Sequence, residues 1–288
     1  MTAQTTAPAL LTLDVEDWEH ANYSQLDVSS VAAARKGRNY AMDQNTDRWI
    51  EICAGFQASS TCFVLGEFAR RYPEAVKRLH SAGHEIASHC DTHALVYEMK
   101  QEEFRENLKR GLAAVGDLTG VAPLGFRAPS WSVSPTRTPW FIEELARAGL
   151  RYDSSEFPVW TPLFGRFGAP VVPYFEHGVL RVPVSVIQFL GMRMPFSSGA
   201  FFRLSPFWLL RAGFASVTAR GLPPMIVLHP RELDPDHPRL PIAGWEGKVH
   251  YARMASVLPK LKALLALYPW TSIAKGMLDG SSISHGKS

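Results

Sequence analysis

The sequence predicts an α/β fold, a barrel of seven or so strand–helix units that is distorted or incomplete. Three observations carry this. Short apolar runs of strand type recur at 10–13, 61–65, 84–88, 124–127, 151–153, 179–184 and 225–228. Most are followed by segments whose apolar residues repeat at helical spacing. The length, 288 residues, suits one such barrel.

Hydrophobic residues make up 46% and charged residues 20% of the chain, enough apolar surface for a sizeable core and too balanced for disorder. The formal charge of +3 comes from 30 basic and 27 acidic residues without a basic block, so nucleic acid is not an expected partner. The first residues lack a basic stretch followed by an apolar core, and no run of 18 apolar residues occurs, so no transmembrane segment is expected and the expected location is cytoplasmic. Cys53, Cys62 and Cys90 are odd in number and lack a C-x-x-C pair, which fits a reducing compartment. One domain over 1–280, with a polar tail at 281–288, is the expected organisation.

Taken in order, the strand at 10–13 runs into Asp14, Glu16 and Asp17, three carboxylates that need a cation or an arginine nearby. Strand alternation places Asp14 and Glu16 on one face. Residues 19–42 read as a long loop over the barrel mouth. Asn45, Thr46 and Asp47 cap a helix with Trp49, Cys53 and Phe56 on one stripe. After the strand at 61–65, Pro73 opens a helix that Gly83 closes. The strand at 84–88 delivers His89 and His93, which share a face if the chain turns helically. A long amphipathic helix over Phe104, Leu108, Leu112 and Val115 leads to the strand at 124–127, which ends in Arg127.

A helix from Thr138 to Gly149 precedes the strand ending at Asp153, and 154–178 is a second long insertion. The strands at 179–184 and 225–228 are separated by a helix over 206–220, and a helix at 251–267 closes the fold.

Asp14, His89, Arg127, Asp153 and His229 thus gather at carboxyl ends of strands, where such folds do their chemistry. Two imidazoles and one carboxylate, from Glu16 or Asp17, can hold a divalent metal with a position open for water. Asp14 can then serve as base, His229 as acid with Asp153 on its other nitrogen, and Arg127 can pair with Asp14. Each has a plainer alternative. His229 could cap a strand end, Arg127 could be a structural ion pair, Asp153 could form a turn with Ser154 and Ser155, and Cys90 could be a buried thiol.

The order of these motifs resembles the polysaccharide deacetylases, the carbohydrate esterase family 4 or NodB-homology group. The resemblance covers residues 10 to 230 and rests on Asp14-Val15-Glu16-Asp17, His89-Cys90-Asp91-Thr92-His93, Arg127-Ala128-Pro129, Tyr152-Asp153-Ser154-Ser155 and Leu228-His229. With Gly199-Ala200-Phe201-Phe202-Arg203-Leu204 and His229-Pro230, the chain looks like the branch found with exopolysaccharide and exosortase gene clusters, whose C-terminal extension falls here at about 190–280.

The resemblance implies a distorted (β/α)7 barrel that removes an N-acetyl group from an amino sugar with a divalent metal, usually zinc, otherwise cobalt or nickel. It makes Asp14 the base, His89 and His93 metal ligands, Arg127 the partner of the base and His229 the acid. The implied substrate is a nucleotide-linked or lipid-linked amino sugar of a surface glycan. Two departures stand out: the usual adjacent aspartates are Asp14-Val15, so the third ligand moves to Glu16 or Asp17, and Cys90 replaces a hydroxyl residue. Trp131, by stacking on a sugar ring, and Arg203 are candidate groove residues, with core packing the alternative for Trp131. Arg231 is a local specificity change. The competing functions are deacylation of another amide, such as a formamido sugar or a cyclic ureide, and a catalytically inactive glycan-binding barrel.

Overall fold

The computed structural model describes residues 8–20, 22, 31, 33, 42–161 and 164–279. The loop expected over 19–42 lies mostly outside the described residues, as does the tail from 281.

Seven parallel strands form the framework, in the spatial order β10, β1, β2, β3, β4, β5, β7. They are β1 (Ala9–Val15), β2 (Thr61–Val64), β3 (Glu85–Ser88), β4 (Gly125–Phe126), β5 (Tyr152–Asp153), β7 (Val179–Arg181) and β10 (Met225–Leu228). β6 (Tyr174–Glu176) adds antiparallel to β7, and the short β11 (Trp270–Thr271) pairs with the start of β1. The sheet is therefore a curled, mixed half-barrel with helices around it, the α/β class expected from the sequence.

On its open side β10 is met by segments that follow β7 in the chain. The Met225 N–H donates to Ser185 Oγ (2.9 Å) and the Val227 N–H to the Ser197 carbonyl (3.0 Å).

β1 sits between two neighbours and is buried along its whole length, which explains why it reads as a continuous apolar run. Its register sets Thr12 opposite Thr61 and Asp14 opposite Phe63. The helix Gln101–Thr119 buries Phe104, Leu108 and Val115, the stripe legible in the sequence, and stops at Gly120 in the left-handed conformation (φ 71°) that spares a Cβ.

Several elements differ from expectation. The first described helix with a regular run is Asp43–Gly55, starting ahead of the expected cap. The helix expected over 206–220 is present as Phe207–Thr218, and a short helix not expected from the sequence, Gly199–Leu204, precedes it. The segment 251–267 is broken at Arg253, whose φ of 54° ends one helix (Gly244–Tyr251) before the next (Val257–Leu267). A hairpin of β8 (Val186–Phe189) and β9 (Met192–Pro195) stands apart from the main sheet. Its turn places Leu190 and Gly191 at positive φ, the two-residue hairpin geometry. No helix among the described residues is long and apolar enough to cross a membrane.

Candidate active site

Arg127 is the hub. It follows β4, is completely buried, and lies over the Phe63 ring at 4.2 Å from its centroid. Nη1 donates to Asp14 Oδ1 (2.6 Å) and Thr12 Oγ1 (3.0 Å) on β1, while Nε and Nη2 donate to Ser154 O (3.2 Å) and Ser154 Oγ (3.0 Å) beyond β5. A buried guanidinium with this many acceptors has one orientation, and it fixes that of Asp14.

Glu16 reaches the site through a kink. Its N–H donates to the Asp14 carbonyl (3.1 Å), a three-residue turn that ends the strand and brings the side chain onto the side of Asp14. Asp17 points elsewhere. Its carboxylate meets Arg71 (3.1 Å), the Tyr72 hydroxyl (3.2 Å) and the Trp18 N–H (2.9 Å), so of the two expected candidates only Glu16 meets the histidines.

His89 and His93 do converge, but the helical turn expected between them is absent. Residues 89–95 are irregular, with a bend at Asp91 and Thr92, and Cys90 is left-handed at φ 71°. The turn is held from outside: Gly66 N–H donates to Cys90 O (3.0 Å), Glu67 N–H to Asp91 O (2.9 Å), and Asp91 N–H to Asn107 Oδ1 (2.8 Å). Gly111 packs against it so closely that a Cβ there would lie 2.6 Å from the Cys90 carbonyl carbon. Cys90 is buried, with its thiol pushed up by desolvation.

His89 Nδ1 lies 2.7 Å from the Arg127 carbonyl, which can only accept, so Nδ1 carries the proton and Nε2 is left bare. Burial drives the His89 pKa down to about 4, so the ring is neutral at physiological pH.

Glu16 Oε2 lies 2.8 Å from His93 Nε2 and 4.0 Å from His89 Nε2. Ligand atoms of these three residues all fall within 4.8 Å of one another. Burial pushes the Glu16 carboxyl up, but His93, Arg231 and His229 outweigh it and hold it well below the usual range. A neutral imidazole with a bare nitrogen beside an ionised carboxylate is a donor set that fits a divalent metal.

His229 ends β10 on the opposite side of Asp14. Its Nε2 lies 4.0 Å from Asp14 Oδ2 and 3.7 Å from Glu16 Oε1. The carboxylate on its other nitrogen is not Asp153. Asp153 is tied to Arg181 (2.8 Å) and to the Ser155 hydroxyl, and burial raises its pKa despite both. Arg181, which no sequence signal marked out, draws Asp153 away from His229.

Glu232 takes that place: its Oε2 accepts from the His229 N–H (3.0 Å) and lies 3.2 Å from Nδ1. Its other oxygen binds Arg203. Burial favours the acid, but Arg203 and His229 hold the Glu232 pKa at about 2.

Arg203 is thus not a free groove residue. It touches the cavity, but its guanidinium is taken by Glu232 and by the carbonyls of Ala252 and His250 (3.1 and 2.9 Å). Trp131 does line the cavity wall, largely buried against Phe157 and Phe164. Arg231 bonds Glu16 directly. These groups surround a cavity of about 150 Å³ between Asp14, Glu16, His89, His93, His229 and Trp131.

Residues 37–152 match the polysaccharide deacetylase family model, and residues 154–277 match a domain of unknown function (DUF3473). A peptidoglycan deacetylase of Helicobacter pylori is 28% identical over 45% of this chain and 43% of its own length. A peptidoglycan-N-acetylglucosamine deacetylase of Bacillus cereus is 29% identical over 30% of this chain and 31% of its own. The chain therefore matches less than half the length of either relative. A Mycobacterium smegmatis structure assigned as a polysaccharide deacetylase shares the fold, with a TM-score of 0.61 and 21% identity over 93% of this chain and 89% of that one. The deacetylase match thus ends where the second match begins, and the chain is similar to polysaccharide deacetylases over residues 37–152 and shares the half-barrel fold of the Mycobacterium smegmatis structure.

Proposed function

We propose that the chain is a metal-dependent carbohydrate N-deacetylase that hydrolyses the N-acetyl group of an amino sugar. The observation that carries this is the convergence of Glu16, His89 and His93 in one cavity, with Asp14 and His229 facing it from either side.

Glu16, His89 and His93 would hold the metal. When bound, it supplies a Lewis acid that polarises the acetyl carbonyl and makes water more acidic. Zinc suits two imidazoles and a carboxylate best, with cobalt or nickel as substitutes.

Asp14 takes a proton from the attacking water. Arg127 on Oδ1 fixes the carboxylate and leaves Oδ2 as the oxygen available on the cavity side. Water oxygen bonds to the acyl carbon, the C–N bond breaks, and His229 Nε2 delivers a proton to the departing nitrogen. Glu232, accepting from Nδ1, orients that ring so that Nε2 faces the cavity. The product acid passes its proton to the amine, so acetate and an ammonium group leave, and the proton on Asp14 returns to His229 through solvent. Trp131 offers an apolar wall for a sugar ring.

A nucleotide-linked or lipid-linked amino sugar in exopolysaccharide or other surface-glycan synthesis is the proposed substrate, and the cytoplasm the proposed location. The resemblance of the segment 199–204 and of His229-Pro230 to the exopolysaccharide-associated branch supports the first. The free, buried Cys53, Cys62 and Cys90 agree with the second.

One observation favours a different reading. Arg231 holds Oε1 of the Glu16 carboxylate whose Oε2 faces His89 and His93, so a cation would compete with a fixed positive charge, as in a barrel that binds glycan without hydrolysing it. Zinc titration alongside acetate release from N-acetylated amino-sugar oligomers and nucleotide-linked sugars separates the two. Zinc-dependent acetate release supports the deacetylase. Glycan affinity with neither zinc binding nor acetate release supports the inactive barrel, and release of formate or ureide products in place of acetate would redirect the substrate class.

A further inference from the structure

We infer that the β8–β9 hairpin and the helix packed on β8 form a docking surface for an anionic lipid bilayer. From His177 to Arg231 inclusive the sequence has six arginines and neither aspartate nor glutamate; Arg181, Arg203 and Arg231 are taken by carboxylates from outside this stretch, which leaves Arg193, Arg211 and Arg220. The hairpin Val186–Phe189, Met192–Pro195 lies in the middle of this stretch and, among the described residues, its strands pair only with each other.

Its tip is apolar and open to solvent. Phe189 and Met192 are each 65% exposed, Leu190 is 83% exposed, and Met194 is also exposed. Strand neighbours point to opposite faces, so exposure of consecutive large side chains around a tight turn makes an apolar wedge. A wedge of this kind suits insertion among acyl chains and headgroups better than seating on a flat protein face.

The charges beside it point to the sign of the surface. Arg193 donates to the carbonyls of Pro158 (3.3 Å) and Ala169 (2.6 Å), and Arg220 to Gln188 Oε1 (2.7 Å) and Val186 O (2.9 Å). Both bond neutral oxygens, so each keeps a full positive charge at the base of the wedge. The helix Phe207–Thr218 packs on β8 and exposes Trp208 (69%) and Arg211 three residues apart, hence on one face. An indole beside arginines is the composition of a membrane-interface element.

Docking here would bring the cavity near the bilayer. β9 ends at Pro195, and Ser198, Gly199, Ala200 and Phe201 already line the cavity. If the deacetylase reading holds, a lipid-anchored amino sugar is the substrate this geometry serves. The docking surface itself does not depend on that reading.

Co-sedimentation of the full chain with phosphatidylcholine vesicles, with and without 30% (an approximate working composition) phosphatidylglycerol, tests the inference. Binding to the anionic vesicles, reduced by salt, is expected. Leu190→Glu and Arg211→Glu should each lower it about tenfold or more with an unchanged circular dichroism spectrum, both positions being exposed. No binding by the wild type, or binding that Leu190→Glu leaves intact, overturns the inference. So does a dimer in light scattering that Leu190→Glu dissociates without any vesicle binding, which would assign the wedge to a second copy. Zinc content and acetate release, measured on the same samples, report on the deacetylase reading separately.

Discussion

Glu232 Oε2 accepts the backbone N–H of His229 at 3.0 Å and lies 3.2 Å from the Nδ1 of the same residue. One carboxylate therefore fixes both the main chain and the ring of the candidate proton donor. Glu232→Gln keeps the shape and the hydrogen bond to the backbone but removes the charge. We expect acetate release to fall about 10–100-fold with zinc stoichiometry unchanged. Unchanged turnover would remove Glu232 from the mechanism. Asp153→Asn should leave the His229 ring in place, because Asp153 bonds Arg181 and Ser155 instead.

Gly111 and Gly116 lie on the same helix but face different surroundings. A Cβ at 111 would come within 2.6 Å of the Cys90 carbonyl carbon, whereas one at 116 would meet nothing nearer than 3.8 Å. Gly111→Ala must push the turn that carries His89 and His93, so zinc affinity should drop about tenfold or more, with a stability loss of about 1–3 kcal/mol. Gly116→Ala should leave zinc binding alone and stabilise the helix by about 0.5–1 kcal/mol. Isothermal titration and denaturant melts of the two variants check the contrast.

Arg231 holds one oxygen of Glu16, and a divalent cation must share that carboxylate with it. Arg231→Ala should raise zinc affinity about tenfold in a chelator competition, and Arg231→Lys by less, because the repulsive charge is retained. Weaker zinc binding by the alanine variant would mean that Arg231 organises the site more than it opposes the metal.

Much of this arrangement can be read from the sequence, and the reasons for the rest are physical. The seven parallel strands are legible because each is a short apolar run bounded by turn or helix signals. The His89–His93 spacing is legible too, but its cause is tertiary: Gly66, Glu67, Asn107 and Gly111 hold a bend where spacing alone suggests a helical turn. Asp153 and Arg203 read as site residues because local sequence cannot reveal their partners, Arg181 and Glu232, which are 28 and 29 residues away. Glu232 does carry a signal, since it sits three residues after His229 with a proline between, the spacing of a capping box. The β8–β9 hairpin breaks the rule that exposed positions are polar, and patterning misses it for that reason.

His84 gives the fold a pH dependence away from the site. It is buried with Nδ1 facing the Ser60 N–H (3.2 Å) and hydroxyl (2.9 Å), and burial lowers its pKa from 6.5 to about 4. The unfolded chain binds a proton below about 6.5 that the folded chain refuses until about 4. Stability contributed by the neutral ring is therefore complete above pH 6.5 and lost as pH falls through that window, by up to about 3 kcal/mol. His84→Gln cannot take up the proton, so its denaturation midpoint should fall less than that of the wild type between pH 7 and 4. Parallel pH profiles would refute this assignment.

Zinc content measured with acetate release, for the wild type beside His89→Ala, His93→Ala and Glu16→Ala, tests the central claim most directly. The convergence of these three residues predicts about one zinc in the wild type. It predicts loss of both zinc and activity in each variant, and full reversal by zinc after chelation of the wild type. An Asp17→Ala control should keep its zinc, because Asp17 faces Arg71 and Tyr72. A wild type that takes up no zinc, cobalt or nickel, or one whose acetate release survives loss of both histidines, would contradict the account.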